Sequence, residues 1–414
     1  MSNVLNNMFN FRRLSFIVPL FFYFTLGNAY GSDDYYNNIL VGGRAATMGG
    51  TYIAISDDAA GSYYNPAGIT YSFSDSVSGS GNAYHVTNTK YEKAIGSEDW
   101  DRESSALLPN FFGIVKKLGE STSLAFSYVV PDSVIEHQDQ VYSNPLSGVE
   151  KYFISLHSED TTYLAGPSLS YAFNDSFSMG MTLFYYSRQV RKQESQMVIS
   201  DSTDDSSSPT EFSYSSLRIE ENGYVTKFGF QWNPFDPVTI GGVYTQSELS
   251  SGNYDYQAYQ KDISSDGIFG TNNGKATRKF PTQLSLGLAY FPTPYLLLAI
   301  DFNYFQSPTS EKQDILNYSL GTEYYWNNTN AFRFGYFTNN TNEKVPTANT
   351  KGPHEYMNLV GYSIGYTSYS RSSSLTFGGI YSSGVGEARP YSNTAKRDFT
   401  RSAMTLIMAA SYNY

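Results

Sequence analysis

Hydrophobic and polar residues alternate with a period of two along most of this chain. The clearest run has an apolar face of Leu296, Leu298, Ile300, Phe302 and Tyr304, and the opposite face is mostly small or polar. The stretches 177–185 and 284–290 repeat this pattern. Such alternation is typical of β-strands that shield one face from water. By itself it fits a soluble sandwich as well as a barrel in a membrane.

The alternation predicts about fourteen strands with two kinds of connection. Short turns such as Asn174-Asp175 separate strands whose other ends carry long polar loops, the longest at 132–160, 189–221 and 248–278. The run from Ser200 to Pro209 is polar enough to be disordered. Bacterial outer-membrane barrels have short periplasmic turns and long outer loops, so both termini are expected in the periplasm. The predicted strands are 69–86, 108–117, 122–131, 161–173, 176–188, 222–233, 237–247, 279–291, 294–306, 314–326, 330–338, 356–367, 373–384 and 402–414.

The two ends of the sequence favour a barrel in the outer membrane. Arg12 and Arg13 precede an apolar run at 14–26 and a small-residue site at 27–29, so residues 1–29 are predicted to be a signal peptide. At the other end, a last strand with Leu406, Met408, Ala410, Tyr412 and Tyr414 on one face reads as lipid-facing. We therefore predict an all-β fold, a transmembrane antiparallel β-barrel of about fourteen strands.

Composition excludes several other classes of protein. Tyr is abundant, with 38 residues against 3 Trp, which suits the aromatic belts of a barrel. The chain has no Cys, which rules out disulfides and thiolate metal sites. Its net charge of −11 becomes −13 when Arg12 and Arg13 leave with the signal peptide. Such an acidic chain offers no footprint for nucleic acid.

One segment, 41–69, differs from everything that follows it. It is rich in Gly and Ala and nearly free of charge, and such residues pack closely against other backbone. We interpret it as a plug inside the barrel. The predicted division is a signal peptide at 1–29, an N-terminal hatch at 30–68 and a transmembrane barrel at 69–414.

This segment resembles the hatch of the FadL-type outer-membrane transporters of long-chain fatty acids and other hydrophobic molecules. The likeness lies in Gly42-x-Arg44-x-x-x-Met48-Gly49-Gly50, in Asp57-Asp58-Ala59 and above all in Asn65-Pro66-Ala67-Gly68. Barrel stretches at 280–290 with 299–304, and at 318–324 with 333–336, are also similar to that family.

The resemblance implies passive transport of a long-chain fatty acid or similar hydrophobic ligand across the outer membrane, with no cofactor. It also implies release sideways into the outer-membrane lipid through a gap in the wall. Related barrels that serve secretion or surface display share the hatch motif, so a non-transporting scaffold is the alternative function.

The motif Asn65-Pro66-Ala67-Gly68 predicts a rigid bend between hatch and barrel. Pro66 fixes its own φ and restricts Asn65 to extended conformations, while the Asn65 side chain can bond to nearby backbone. Gly68 would give the chain freedom where it enters the wall. Further along, Pro131 removes a ladder donor, so it either ends a strand or marks the gap in the wall.

Two cations are predicted to face the lumen. If Phe228 and Phe334 face lipid, then their neighbours Lys227 and Arg333 face inward. A buried cation is costly unless it is paired. Asp301 and Glu323 are available as structural partners; alternatively, one of the cations receives the carboxylate of a ligand.

Patterns that would indicate an enzyme or a metal site are weak. Gly361-x-Ser363-x-Gly365 matches the sequence of the hydrolase nucleophile elbow but not its structural context, since it lies in a predicted strand with no helix after it. His85, His137, His157 and His354 are scattered without ligand spacing. The pair Asp57-Asp58 is expected to cap backbone amides rather than bind a cation. We expect neither catalysis nor a bound metal.

Overall fold

The computed structural model describes residues 34–36, 38–201, 210–261, 266–347, 350, 354–390 and 396–414. The predicted signal peptide at 1–29 lies outside these residues, as does most of the segment predicted to be disordered at 200–209. Within the described part of the chain, no helix is long and apolar enough to cross a membrane.

The strands form one closed antiparallel barrel of fourteen, as predicted. The first pairs with the second and also with the last, which closes the ring. Two short strands lie outside the ring, since β8 pairs only with β7 and β13 only with β15. The strands are β1 (Ser76–Ile95), β2 (Glu98–Lys117), β3 (Thr122–Leu146), β4 (Val149–Asn174), β5 (Phe177–Ser200), β6 (Thr210–Phe235), β7 (Val238–Lys261), β8 (Ile268–Lys275), β9 (Thr282–Thr293), β10 (Leu296–Gln306), β11 (Ile315–Asn327), β12 (Asn330–Asn339), β13 (His354–Met357), β14 (Leu359–Tyr369), β15 (Ser373–Arg389) and β16 (Arg397–Asn413).

The predicted faces are those of the structure. Leu298 and Phe302 of β10 are exposed on the outside, while Asp301 between them is buried inside. The same division holds in β16, where Leu406 and Met408 are exposed and Ile407 is buried. A surface of this size made of large apolar side chains is stable only in contact with lipid.

The prediction of long loops at 132–160, 189–221 and 248–278 is wrong. In the described parts of these stretches the strands β3 to β7 continue far beyond the apolar belt, and β8 extends the last hairpin. Their outer face meets water rather than lipid, so it reads as polar and masks the alternation. The first strand also begins later than predicted, because residues 69–71 belong to a 3-10 helix and β1 starts at Ser76.

The wall is tall on one side and low on the other. At the tall end a hydrophobic core closes the barrel from inside, with Tyr91 stacked between Trp100 and Phe399 and packed together with Tyr152 and Leu156. Strands β9 to β12 stop below this core and form the low rim.

The segment before β1 runs through the lumen. It contains α1 (Gly43–Thr47), α2 (Gly61–Tyr64) and a 3-10 helix (Pro66–Tyr71). Its start lies at the loop end, where the Asp34 carbonyl accepts from the Asn342 amide, whereas Tyr414 bonds to Asp75 at the turn end. Asp34 thus lies at the loop end and Tyr414 at the turn end, and the periplasmic location of both termini stays a prediction.

The loop end is expected to face the cell exterior. An epitope tag inserted between Asp201 and Thr210, in the connection from β5 to β6, should bind antibody on intact cells. A matched tag between Asn174 and Asp175, at a short turn, should react only after the outer membrane is permeabilised. The reverse pattern would mean that the barrel is inserted the other way round.

Candidate functional site

The lumen is filled by residues 38–75, which we call the lumenal segment. Glycines on the inner face of the wall let its backbone approach closely. A Cβ added at Gly180, Gly229, Gly241 or Gly335 would lie less than 3.0 Å from atoms of the lumenal segment. Because these positions have no side chain, the backbone of the wall lies in direct contact with the lumenal segment.

The motif Asn65-Pro66-Ala67-Gly68 lies against strands β4, β5 and β6. Asn65 is extended, with φ −146° and ψ 105°, and its side-chain oxygen accepts from the Ala67 amide at 3.1 Å. Its side-chain nitrogen donates to the Ile53 carbonyl at 2.7 Å and to the Phe230 carbonyl of the wall at 2.9 Å. The Ala67 carbonyl accepts from two wall serines, Ser170 and Ser178. The bend is therefore fixed to the wall from both sides.

Gly68 lies in a crowded position. A Cβ there would lie 2.6 Å from the Ser56 Cβ and 2.8 Å from the Gln231 side-chain oxygen. Crowding therefore favours glycine at this position, and the freedom of the chain there stays a prediction.

Wall side chains satisfy the backbone of the lumenal segment elsewhere too. The Asp301 carboxylate on β10 accepts from the Tyr52 amide at 2.6 Å and the Ile53 amide at 2.9 Å. The Ser363 hydroxyl donates to the Thr47 carbonyl at 2.9 Å. Ser363 belongs to the Gly-x-Ser-x-Gly pattern, which lies within β14 as expected.

A buried network of charges joins the lumenal segment to β11 and β12. Glu323, with no exposed surface, binds Arg44 of α1 at 2.6 Å and Arg333 of β12 at 2.6 Å. Arg44 also pairs with Asp57 at 2.6 Å. The remaining guanidinium donors of Arg333 bond to Thr367 and to the Tyr369 hydroxyl. Arg333 therefore forms the structural ion pair with Glu323, which was one of the two alternatives from the sequence.

Lys227 faces the lumen but is placed differently. Its ammonium lies 3.4 Å from the Thr245 hydroxyl and 4.9 Å from the centre of the Tyr63 ring. Among the described residues, no carboxylate forms an ion pair with it, and the Asp301 carboxylate bonds to the Tyr52 and Ile53 amides. Lys227 is therefore a buried cation with a free face.

That free face lines a cavity inside the barrel. The cavity measures about 60 Å³ and is bounded by the lumenal segment on one side and by β9 to β12 on the other. Tyr36, which stacks on Phe305 at 4.7 Å, also lines it. A cavity of this size holds only a few water molecules.

Asp34, which precedes the lumenal segment, is held at the loop end by an ion cluster outside the membrane-spanning strands. Lys312 binds both Asp34, at 3.3 Å, and Glu343. Burial, opposed by Lys312, raises the pKa of Asp34 to about 7. Near neutral pH the Asp34 carboxyl is therefore partly protonated, and acidification weakens its attraction to Lys312.

The wall itself has a gap between β2 and β3. Ladder pairs join 111–117 to 123–129 and Ser104 to Glu136, but across the described stretches 105–110 and 130–135 no backbone pair forms. Pro131 lies in this stretch, and its carbonyl accepts from the Ile39 amide at 3.1 Å. Asn110 donates to the Leu40 carbonyl at 3.0 Å, and Asn38 donates to Asp132 at 3.0 Å. Residues 38–40 of the lumenal segment thus bind the edges of the gap, while Ile39 and Leu40 also line the cavity.

The other candidate chemistry has structural roles. Asp58 accepts from the Ala60 amide at 2.8 Å, which is the predicted capping. His137 and His157, far apart in sequence, face each other across β3 and β4 with ring centres 5.1 Å apart. In the part of the chain that the structure describes, no three His, Asp or Glu side chains converge as metal ligands.

The sequence analysis named Asp301 and the gap at Pro131, but it missed three other features of this site. The close approach of the wall glycines carries no motif, and the bonds of Asp301 to backbone amides could not be foreseen. Arg44 lies in the hatch motif, yet its partner Glu323 is 279 residues away.

Comparisons with known proteins show the fold. No family model matches the chain, and no curated protein matches it in sequence. Solved structures do match. The toluene transporter TodX of Pseudomonas putida has 14% identity and a TM-score of 0.68 over 90% of this chain and 98% of its own. A FadL homologue of Pseudomonas aeruginosa has 13% identity and a TM-score of 0.61 over 92% and 99%. The toluene transporter TbuX of Ralstonia pickettii has 14% identity and a TM-score of 0.61 over 90% and 98%. This chain therefore has the fold of the FadL-type outer-membrane channels.

Proposed function

We propose that this protein carries a hydrophobic molecule, such as a long-chain fatty acid, passively across the outer membrane. One observation supports this most strongly. An internal cavity lined by the unpaired cation Lys227 adjoins a segment that covers a gap in the wall. A passive scaffold would need neither the cavity nor the gap.

Transport requires the lumenal segment to act as a hatch that moves. The cavity of about 60 Å³ is far below the roughly 300–1,000 Å³ of typical ligand sites. A ligand with a long acyl chain must therefore displace part of the lumenal segment. Residues 38–40 are the best candidates, because they separate the cavity from the wall gap and are held by only a few hydrogen bonds.

The ligand carboxylate is assigned to Lys227 rather than Arg333. Arg333 already uses its donors on Glu323, Thr367 and Tyr369. Lys227 has free donors and lines the cavity. A charge-assisted bond between its ammonium and a carboxylate would relieve the cost of a buried unpaired cation.

Release is proposed to occur sideways between β2 and β3. Pro131 lacks a backbone N–H and sits beside a bulge in the β3–β4 ladder between Val129 and Asp132. The wall gap would let an acyl chain pass from the lumen into lipid without entering water. The movement of the hatch and the sideways release can each be tested with uptake measurements in cells.

Replacing Asn65 and Pro66 together with alanine should impair uptake but not folding. The change removes the two bonds from the Asn65 side-chain nitrogen, each worth about 1 kcal/mol, while the closed barrel keeps its own backbone pairing. We expect heat-modifiable migration to be retained and uptake of labelled oleic acid to fall several-fold. Asn330→Ala at a short turn is the matched control and should behave like the parent. Parental uptake by the double variant would make the lumenal segment a passive filler and favour the scaffold alternative.

Linking the two edges of the wall gap should block release. The chain has no Cys, so Leu107→Cys with Ile135→Cys gives a specific pair for a reducible thiol cross-linker. Cross-linked cells should lose most oleic acid uptake and regain it after reduction. Cross-linking Glu159→Cys to Arg191→Cys, which are ladder partners on β4 and β5, should leave uptake unchanged. If the linked gap transports at the parental rate, release does not pass between β2 and β3.

A further inference from the structure

The cavity beside Lys227 has two chemically different sides. The lumenal segment contributes apolar groups, including Ile39, Leu40 and Ile53. The wall strands β9 to β12 contribute polar side chains instead: Ser285, Asn303, Asn317, Ser319 and Thr338. A site for a bare hydrocarbon would be apolar on both sides, so the polar wall needs an explanation.

Several of these polar groups have unused hydrogen-bonding capacity. The Asn317 side-chain oxygen accepts from the Asn340 amide at 2.8 Å, but its nitrogen is buried and has no partner among the described residues. The Ser319 hydroxyl is in the same situation within the described chain. Asn303 accepts from Ser285 at 2.6 Å, and no described residue accepts from its side-chain nitrogen.

These groups are too buried to be left unsatisfied without cost. Asn317 is 1% exposed and Ser319 is 5% exposed. A buried donor without a partner destabilises a protein, which is why such groups are rare. Waters in the cavity can satisfy them, but a ligand that displaces those waters has to replace their hydrogen bonds. An alkyl chain or an unsubstituted aromatic ring cannot do so.

We propose that the ligand is an organic acid with a second oxygen group close to its carboxylate, such as a 3-hydroxy acid with a long acyl chain. This rests on the proposed transport function and specifies its substrate. The carboxylate binds Lys227, the hydroxyl or oxo group meets the donors of Asn317 and Ser319, and the acyl chain lies along Ile39 and Leu40. The second oxygen is placed near the head because Lys227 and Asn317 line one small cavity.

The test compares dodecanoic acid with 3-hydroxydodecanoic acid, measured as equilibrium binding to the purified barrel in detergent. The parent protein should bind the hydroxy acid about tenfold more tightly, the effect of one good hydrogen bond. Asn317→Leu should remove this preference, so that its affinities for the two acids lie within about twofold of each other. Lys227→Met should weaken both acids about tenfold or more. Asn330→Leu, at a short turn, is the control and should keep the parental values.

The possible results distinguish failure of this inference from failure of the proposed function. Equal affinities of the parent protein for the two acids, or an equal loss of both in Asn317→Leu, would overturn the inference even if both acids are transported. If the parent neither binds nor transports either acid, the proposed function fails as well. Should Asn317→Leu lose heat-modifiable folding, Ser319→Ala takes its place, and the comparison in the parent protein decides independently of either variant.

Discussion

This structure depends on hydrogen bonds between the backbone of the lumenal segment and the barrel wall that surrounds it. The lumenal segment has little regular structure of its own, so its amides and carbonyls must find partners on the wall. The Asp301 carboxylate accepts from two of those amides, Ser363 donates to the Thr47 carbonyl, and Asn65 donates to the Phe230 carbonyl of the wall. Each contact crosses from one element to the other, which holds the lumenal segment in place without covalent links.

The same requirement divides the lumenal segment into a fixed and a movable part. Residues 43–71 carry the buried ion pair between Arg44 and Glu323 and the crowded motif around Asn65. Breaking such a buried pair costs about 3–5 kcal/mol. Residues 38–40 are held by neutral bonds at Pro131, Asn110 and Asn339 and by one bond to Asp132. If the hatch opens, this weaker part moves first, and it is the part that covers the wall gap.

Much of the barrel could be predicted from the sequence because lipid imposes a strict period of two. The inward positions of Lys227 and Arg333 followed from Phe228 and Phe334, and the structure places all four as expected. The tall extensions of β3 to β7 escaped prediction because water on their outer face removes the apolar half of the pattern. For the site, the sequence identified Asn65-Pro66 through a motif, and it correctly offered Glu323 as the partner of Arg333. It paired Lys227 with Asp301 by charge alone, and could not foresee that backbone amides would take that carboxylate.

The central claim is that residues 38–40 must leave the wall gap for a ligand to cross. Asn38→Cys with Asp132→Cys tests it most directly, because the parent side chains lie in contact at 3.0 Å and no other Cys is present. A short reducible cross-linker would hold this part of the hatch closed in cells that take up labelled oleic acid. The account predicts that uptake falls to near background when the link is formed and recovers on reduction. Unchanged uptake with the link in place would contradict it.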